Sequence, residues 1–168
     1  MGSRTYAFDA NMVLADGAAA ATATGVTTVG GAASVIDLGG DQSRTPALRA
    51  RIDAMAVIMV QSVVVTTGCV YTLAIQGSND AAFGTGNVQN LAMIDFGITG
   101  TRNGTAMTTA APLGSANFGQ EPSGTMYELG FTNEQNDVMY QYIRAYLTVA
   151  GSNASIQFTI FVAVLPEP

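Results

Sequence analysis

Hydrophobic and polar residues alternate with period two through most of this chain. Clusters of Gly, Ser, Asn, Asp and Thr interrupt the alternation at short intervals, the sequence form of an all-β sandwich or barrel. The clearest segment is "QYIRAYLTVAGSNASIQFTIFVAV", residues 141–164. Ile143, Ala145, Leu147 and Val149 fall on one face of a first strand, and Ile156, Phe158, Ile160 and Val162 on one face of a second. Gly151, Ser152 and Asn153 supply a turn. Read as a hairpin with Val149 opposite Ile156, both apolar sets share one side of a sheet. Further strands are predicted at residues 6–13, 34–38, 70–76, 88–95 and 125–132. Tyr71, Leu73 and Ile75 share a face, as do Tyr127, Leu129 and Phe131. "TPALRARIDAM", residues 45–55, has a Thr cap and a Pro suited to a helix start, but its Leu48, Ala50, Ile52 and Ala54 alternate with charged residues; a strand is the better reading and a short helix the alternative.

The hairpin register exposes an unusual second face. Tyr140, Tyr142, Arg144 and Tyr146 lie opposite the apolar set, with Phe161 placed across from Arg144. A solvent-facing sheet should be polar there. Tyr and Arg are enriched at binding hot spots, so the stripe is a candidate protein interface, unless another segment such as the one carrying Tyr6 and Phe8 covers it. Arg144 is expected to pair with a carboxylate or to stack on Tyr142 or Tyr146. "VIMVQSVVV", residues 57–65, alternates poorly and reads as a strand covered on both faces, which favours an oligomer or a docked subunit.

Two stretches are rich in small residues: "ADGAAAATATGVTTVGGAAS" at 15–34 and "GITGTRNGTAMTTAAPLGSANFGQEPSG" at 97–124. Such residues cannot build a core of their own and read as an N-terminal arm, about residues 1–34, and a long loop, about 97–124, that order by lying on something. The remainder fits one domain over residues 1–168, since a chain of this length can bury enough surface for one core.

Charge narrows the chemistry. The sequence has six Arg, twelve acids, no His, no Lys and no Trp, with a formal net charge of -6. Lack of His removes the imidazole base, the Ser-His triad and His-ligated metals; lack of Lys removes Schiff bases and the phosphate-loop cation. The scattered Arg give no clustered footprint for a nucleic acid. A paired-carboxylate hydrolase is the one enzyme chemistry left open, and the expectation is that the chain is not an enzyme and takes no cofactor or metal. Cys69 reads as a small buried apolar residue. Gly84 and Gly86 in "YTLAIQGSNDAAFGTG", residues 71–86, suggest a phosphate loop, but Gln89 stands where the dinucleotide fingerprint needs its third glycine. Asn79 and Asp80 could offer oxygens to calcium, yet no Asp/Asn/Gly ladder follows, so an Asx-turn closing the strand is expected. Glu121, Glu128, Glu134 and Asp137 read as solvated loop and strand charges. The longest apolar run, residues 54–65, is interrupted and too short to span a membrane as a helix. The N-terminus has neither an apolar signal region nor a myristoylation pattern, so synthesis and retention in the cytoplasm are expected, and the sequons at Asn103 and Asn153 read as coincidences.

The order of "TYAFDANMVL", "VIDLGG" at 35–40, "YTLAIQGSNDAAF" at 71–83, "YELGFTNEQN" at 127–136 and "YIRAYLTVAG" at 142–151, followed by a last apolar strand, resembles the small capsid cement proteins of tailed phages. That family is typified by the Bordetella phage head cement protein, and the likeness runs over most of the length. The resemblance implies a jelly-roll-like β-sandwich on the outer capsid surface of a virion. There it would clamp neighbouring copies of the major capsid protein, as a homo-oligomer, dimer or trimer, without catalysis, nucleic acid or membrane. It also implies that "QGSNDAAF" is a strand-to-loop turn, with Phe83 returning to the core. The long loop at 97–124 and the lack of Lys depart from the family. The alternative from a different class is a carbohydrate-binding β-sandwich of a tail appendage, against which the absence of Trp counts.

Overall fold

A computed structural model describes residues 8–41, 48–64, 69–84, 86–97, 100–102, 105–107 and 125–164. The sandwich is built from β1 (Val13–Asp16), β2 (Gly25–Val26), β3 (Ile36–Asp37), β4 (Asp53–Val63), β5 (Val70–Ser78), β6 (Val88–Gly97), β7 (Thr125–Thr132), β8 (Tyr142–Ala150) and β9 (Ile156–Val164). One sheet has the order β1-β9-β4-β7 and the other β6-β5-β8-β2, with β3 also on β8. Every pairing is antiparallel, and β1 pairs with β9, β2 and β3 with β8, β4 with β7, and β5 with β6. These pairs are the rungs of one folded-over ribbon, which is the jelly roll.

Alternation explains which residues meet between the sheets. Leu14, Ile58, Val60, Ile156 and Ile160 from the first sheet, and Tyr71, Leu73, Ile75, Ile143 and Leu147 from the second, are all buried in one core. Cys69 is buried there too, its thiol donating to the Ser152 carbonyl (3.6 Å). The last two strands do not form a hairpin. The chain crosses from one sheet to the other after the Gly151–Asn153 turn, so Val149 pairs with Tyr71 and Ile156 with Val63. Their apolar faces still share a core, because they look at each other across the sandwich. Period-two alternation fixes which face of a strand is buried but not which strand lies beside it.

Three further expectations are corrected. The strand read at 6–13 is a 3-10 turn over Ala10–Met12, capped by Asp9 accepting from the Asn11 N–H, and the strand begins at Val13. The strand read at 45–55 is interrupted: Leu48–Arg49 pairs with Gly40–Asp41, and β4 starts only at Asp53. Phe83 is buried, but it lies outside the intersheet core. The Ala-rich stretch at 15–34 lies along the sandwich edge, where Ala21 bridges to Ile156 and the Thr27 hydroxyl donates to Leu14 and Ala145 carbonyls. Of the loop at 97–124, Gly100–Arg102 pairs with Thr105–Met107, and 108–124 lies outside the described residues.

Tyr71 ties the strand entering the core to the crossing loop. Its hydroxyl donates to the Val64 carbonyl (2.6 Å) and accepts from the Ser155 N–H (2.8 Å). Burial raises its pKa above the ordinary 10.0. A raised tyrosine pKa gives stability that is fully present below the unfolded-state value and lost as pH climbs through the folded one. Tyr71→Phe is therefore expected to cost about 2 kcal/mol at neutral pH. In urea melts the gap to the parent chain should narrow above pH about 10. A gap that does not narrow would show that the hydroxyl is not the group titrating.

Candidate functional site

The outer face of the second sheet carries the tyrosine and arginine stripe. Alternation along β8 turns Tyr142, Arg144 and Tyr146 outward, and the register with β5 sets Ser78, Gln76 and Ala74 beside them. Arg144 Nε donates to Gln76 Oε1 (2.9 Å), and Gln76 Nε2 donates to Asn90 Oδ1 (3.0 Å), a side-chain ladder across three strands. The guanidinium carbon lies 4.2 Å from the Phe83 ring centroid and 5.2 Å from that of Tyr146. Partial burial lowers its pKa, yet an arginine keeps its charge. Arg144 thus stacks on Tyr146, as expected, and on Phe83, which the sequence reading had placed in the core.

The loop after β5 holds Phe83 in that position. Asp80 Oδ1 accepts from the Ala82 N–H (2.9 Å) and Oδ2 from the Gly84 N–H (3.0 Å), which lowers the Asp80 pKa. This is the expected Asx-turn. Phe83 takes φ 52, a left-handed conformation costly for an aromatic residue, and its ring closes over Arg144. The stripe is thereby covered in part by its own chain.

Phe161 and Phe8 belong to the other side of the molecule. Phe161 pairs with Val57 and Val13 in the first sheet, not with Arg144, and Phe8 meets it edge-on with centroids 5.4 Å apart. Tyr6 lies outside the described residues. Tyr140 precedes β8 and stands apart from the stripe, its side chain packed against Gly77. The structure therefore divides the predicted set into a polar-aromatic face on the second sheet and an aromatic cluster on the first.

The first sheet's outer face is where water meets apolar side chains. Met55, Val57, Phe161 and Ala163 form a buried cluster there, with Val13 against it. Around it stand Phe8, 63% exposed, Met126, 50%, and Met59, 36%. Met59 and Met126 are direct partners across β4 and β7. An antiparallel sheet with one face on the core normally turns a polar face outward; this one mixes its outward polar residues, Gln61, Glu128 and Thr159, with an apolar patch. The weak alternation of residues 57–65 signalled it. Met126 escaped notice because it alternates correctly with Tyr127 and simply faces outward beside Glu128.

The acids are dispersed. Glu134 pairs with Arg51 at 3.3 Å and Asp137 sits in a turn, while Glu121 lies outside the described residues. Among the described residues, no cluster of three or more His, Cys, Asp or Glu side chains could hold a metal ion, and no helix is long and apolar enough to cross a membrane. No protein-family model matches the chain, and neither does any curated protein.

Proposed function

We propose that the chain is a structural virion protein, a capsid cement subunit that binds the outer surface of a phage head and stabilises contacts between major capsid proteins. The observation that carries this reading is the apolar outer face of the first sheet, where Phe8, Met59 and Met126 ring a buried cluster around Phe161. Methionine-rich faces adapt to the surface they meet, and an exposed apolar patch marks a protein contact. The order of short segments that resembles the cement proteins supports the choice of the major capsid protein as partner. Non-covalent contacts repeated over a lattice need only modest energy each, because many copies act together.

In this reading the stripe of Tyr142, Arg144 and Tyr146 faces away from the shell, and its arginine serves the fold through Gln76 and Phe83. The reading assigns no catalysis and no cofactor. Its test is shell binding by a Met59→Lys, Met126→Lys double variant. Loss of binding with the fold retained is expected, and unchanged binding would remove this face from the proposal.

A further inference from the structure

A cleft of about 360 Å³ opens at one end of the sandwich, between the loop that follows β5 and the turn that leads into β8. Asn79, Asp80, Asn87, Gln89, Val138 and Tyr140 line it. From the chemistry of that lining we infer that the cleft is a binding site for a neutral glycan.

The lining excludes the other ligand classes in turn. An apolar ligand would cover a lining of three amides and a carboxylate while pairing none of the donor and acceptor sites they still offer to water. An anion finds no cationic side chain among the lining residues. A cation finds one carboxylate, Asp80, and both its oxygens already accept backbone N–H groups of Ala82 and Gly84. A sugar fits what remains. Its hydroxyls each donate and accept, and can meet the amide atoms left over once Asn79 has accepted from the Gln141 N–H and Gln89 has donated to the Asn90 carbonyl. The C–H face of a pyranose can lie against an aromatic ring that has an apolar body and a polar tip, as Tyr140 has.

The site is also held in place before any ligand arrives. Tyr140 is fixed on its backbone by Asn133, which accepts from the Tyr140 N–H (2.8 Å) and donates from Nδ2 to its carbonyl (2.8 Å). The Tyr140 side chain rests on Gly77, where an added Cβ would stand 2.9 Å from both its Cβ and its Cγ. Glycine is required at that position for the ring to lie so close. Asn79 is anchored by accepting from the Gln141 N–H (3.0 Å). Such preorganisation reduces what binding must spend on ordering side chains. The cleft is bordered by the second sheet and its loops, so it is separate from the apolar face of the first sheet.

The test uses the full chain. It is titrated, with chemical-shift perturbation as the readout, with neutral glucose-, galactose-, mannose- and N-acetylglucosamine-terminated oligosaccharides and with a sialylated trisaccharide. Millimolar or tighter binding of at least one neutral sugar is expected, with shifts at Asn87 and Gln89. The single variants Asn87→Ala and Gln89→Ala, on side chains at the rim, should each weaken it by about tenfold. Tyr140→Phe should retain most of the binding and Tyr140→Ala should lose it. No response to any of the neutral sugars, a response indifferent to Asn87 and Gln89, or a preference for the sialylated sugar would each overturn the assignment. None of these outcomes bears on shell binding, which is read separately.

Discussion

Replacing Asn133 by alanine should destabilise the fold by about 3 kcal/mol, a large share of the roughly 5–15 kcal/mol that holds a domain together. Asn133 directly follows β7 and is fully buried. Its Oδ1 accepts from the Ile52 N–H (2.8 Å), and its Nδ2 donates to the carbonyls of Ala50 (2.8 Å) and Tyr140 (2.8 Å). One side chain therefore joins the chain entering β4, the end of β7 and the segment that leads into β8. Alanine removes all three bonds and leaves backbone groups without partners. Each bond lost contributes about 1 kcal/mol, and burial of an unpaired group adds to that. Asn133→Asp keeps the acceptor for Ile52 but sets a buried carboxylate oxygen against the carbonyls of Ala50 and Tyr140, so it should destabilise at least as much as alanine. Urea unfolding checks this, through a lowered midpoint at unchanged slope. A loss below about 1 kcal/mol for alanine would mean that water replaces these bonds, since even a single net hydrogen bond is worth about that much.

The double variant Met59→Lys, Met126→Lys should lower affinity for undecorated heads by on the order of a hundredfold, about 3 kcal/mol for the two substitutions together. The two side chains are neighbours across β4 and β7 and already stand partly in water, so lysine there should cost the free chain little. In the proposed shell contact the same positions would become buried, and an ammonium group without a partner is expensive to desolvate. Lysine is preferred to glutamate because Glu128 lies two residues along the same strand face and would repel added carboxylates. The readout pairs shell occupancy with a urea melt of the free variant. Reduced occupancy with the melt preserved is expected, and full occupancy would place the contact elsewhere.

The strands were legible because their alternation is strong. Val88–Gly97 and Thr125–Thr132 lie where residues 88–95 and 125–132 were read, and Tyr71, Leu73 and Ile75 are buried together as their spacing implies. What the pattern does not carry is strand partnership. Residues 142–150 and 156–164 look like a hairpin locally, but the five residues between them pass from one sheet to the other, and only tertiary packing decides that. The site divides for the same reason. Arg144 was recognised as a residue in need of a partner, but Phe83 is remote in sequence and reaches it only through a left-handed backbone that an aromatic residue seldom adopts. Phe161 was placed on the right kind of face and the wrong sheet. Asn133, inside "TNEQN", has the composition of an exposed loop; its burial comes from backbone groups of two distant segments that need its amide.

Sedimentation of the purified chain with undecorated phage heads tests the proposed cement role most directly. The account predicts that the chain moves with the heads and saturates at a stoichiometry set by the symmetry of the lattice. A chain that stays in the supernatant at concentrations well above those that saturate a repeated protein interface would contradict it.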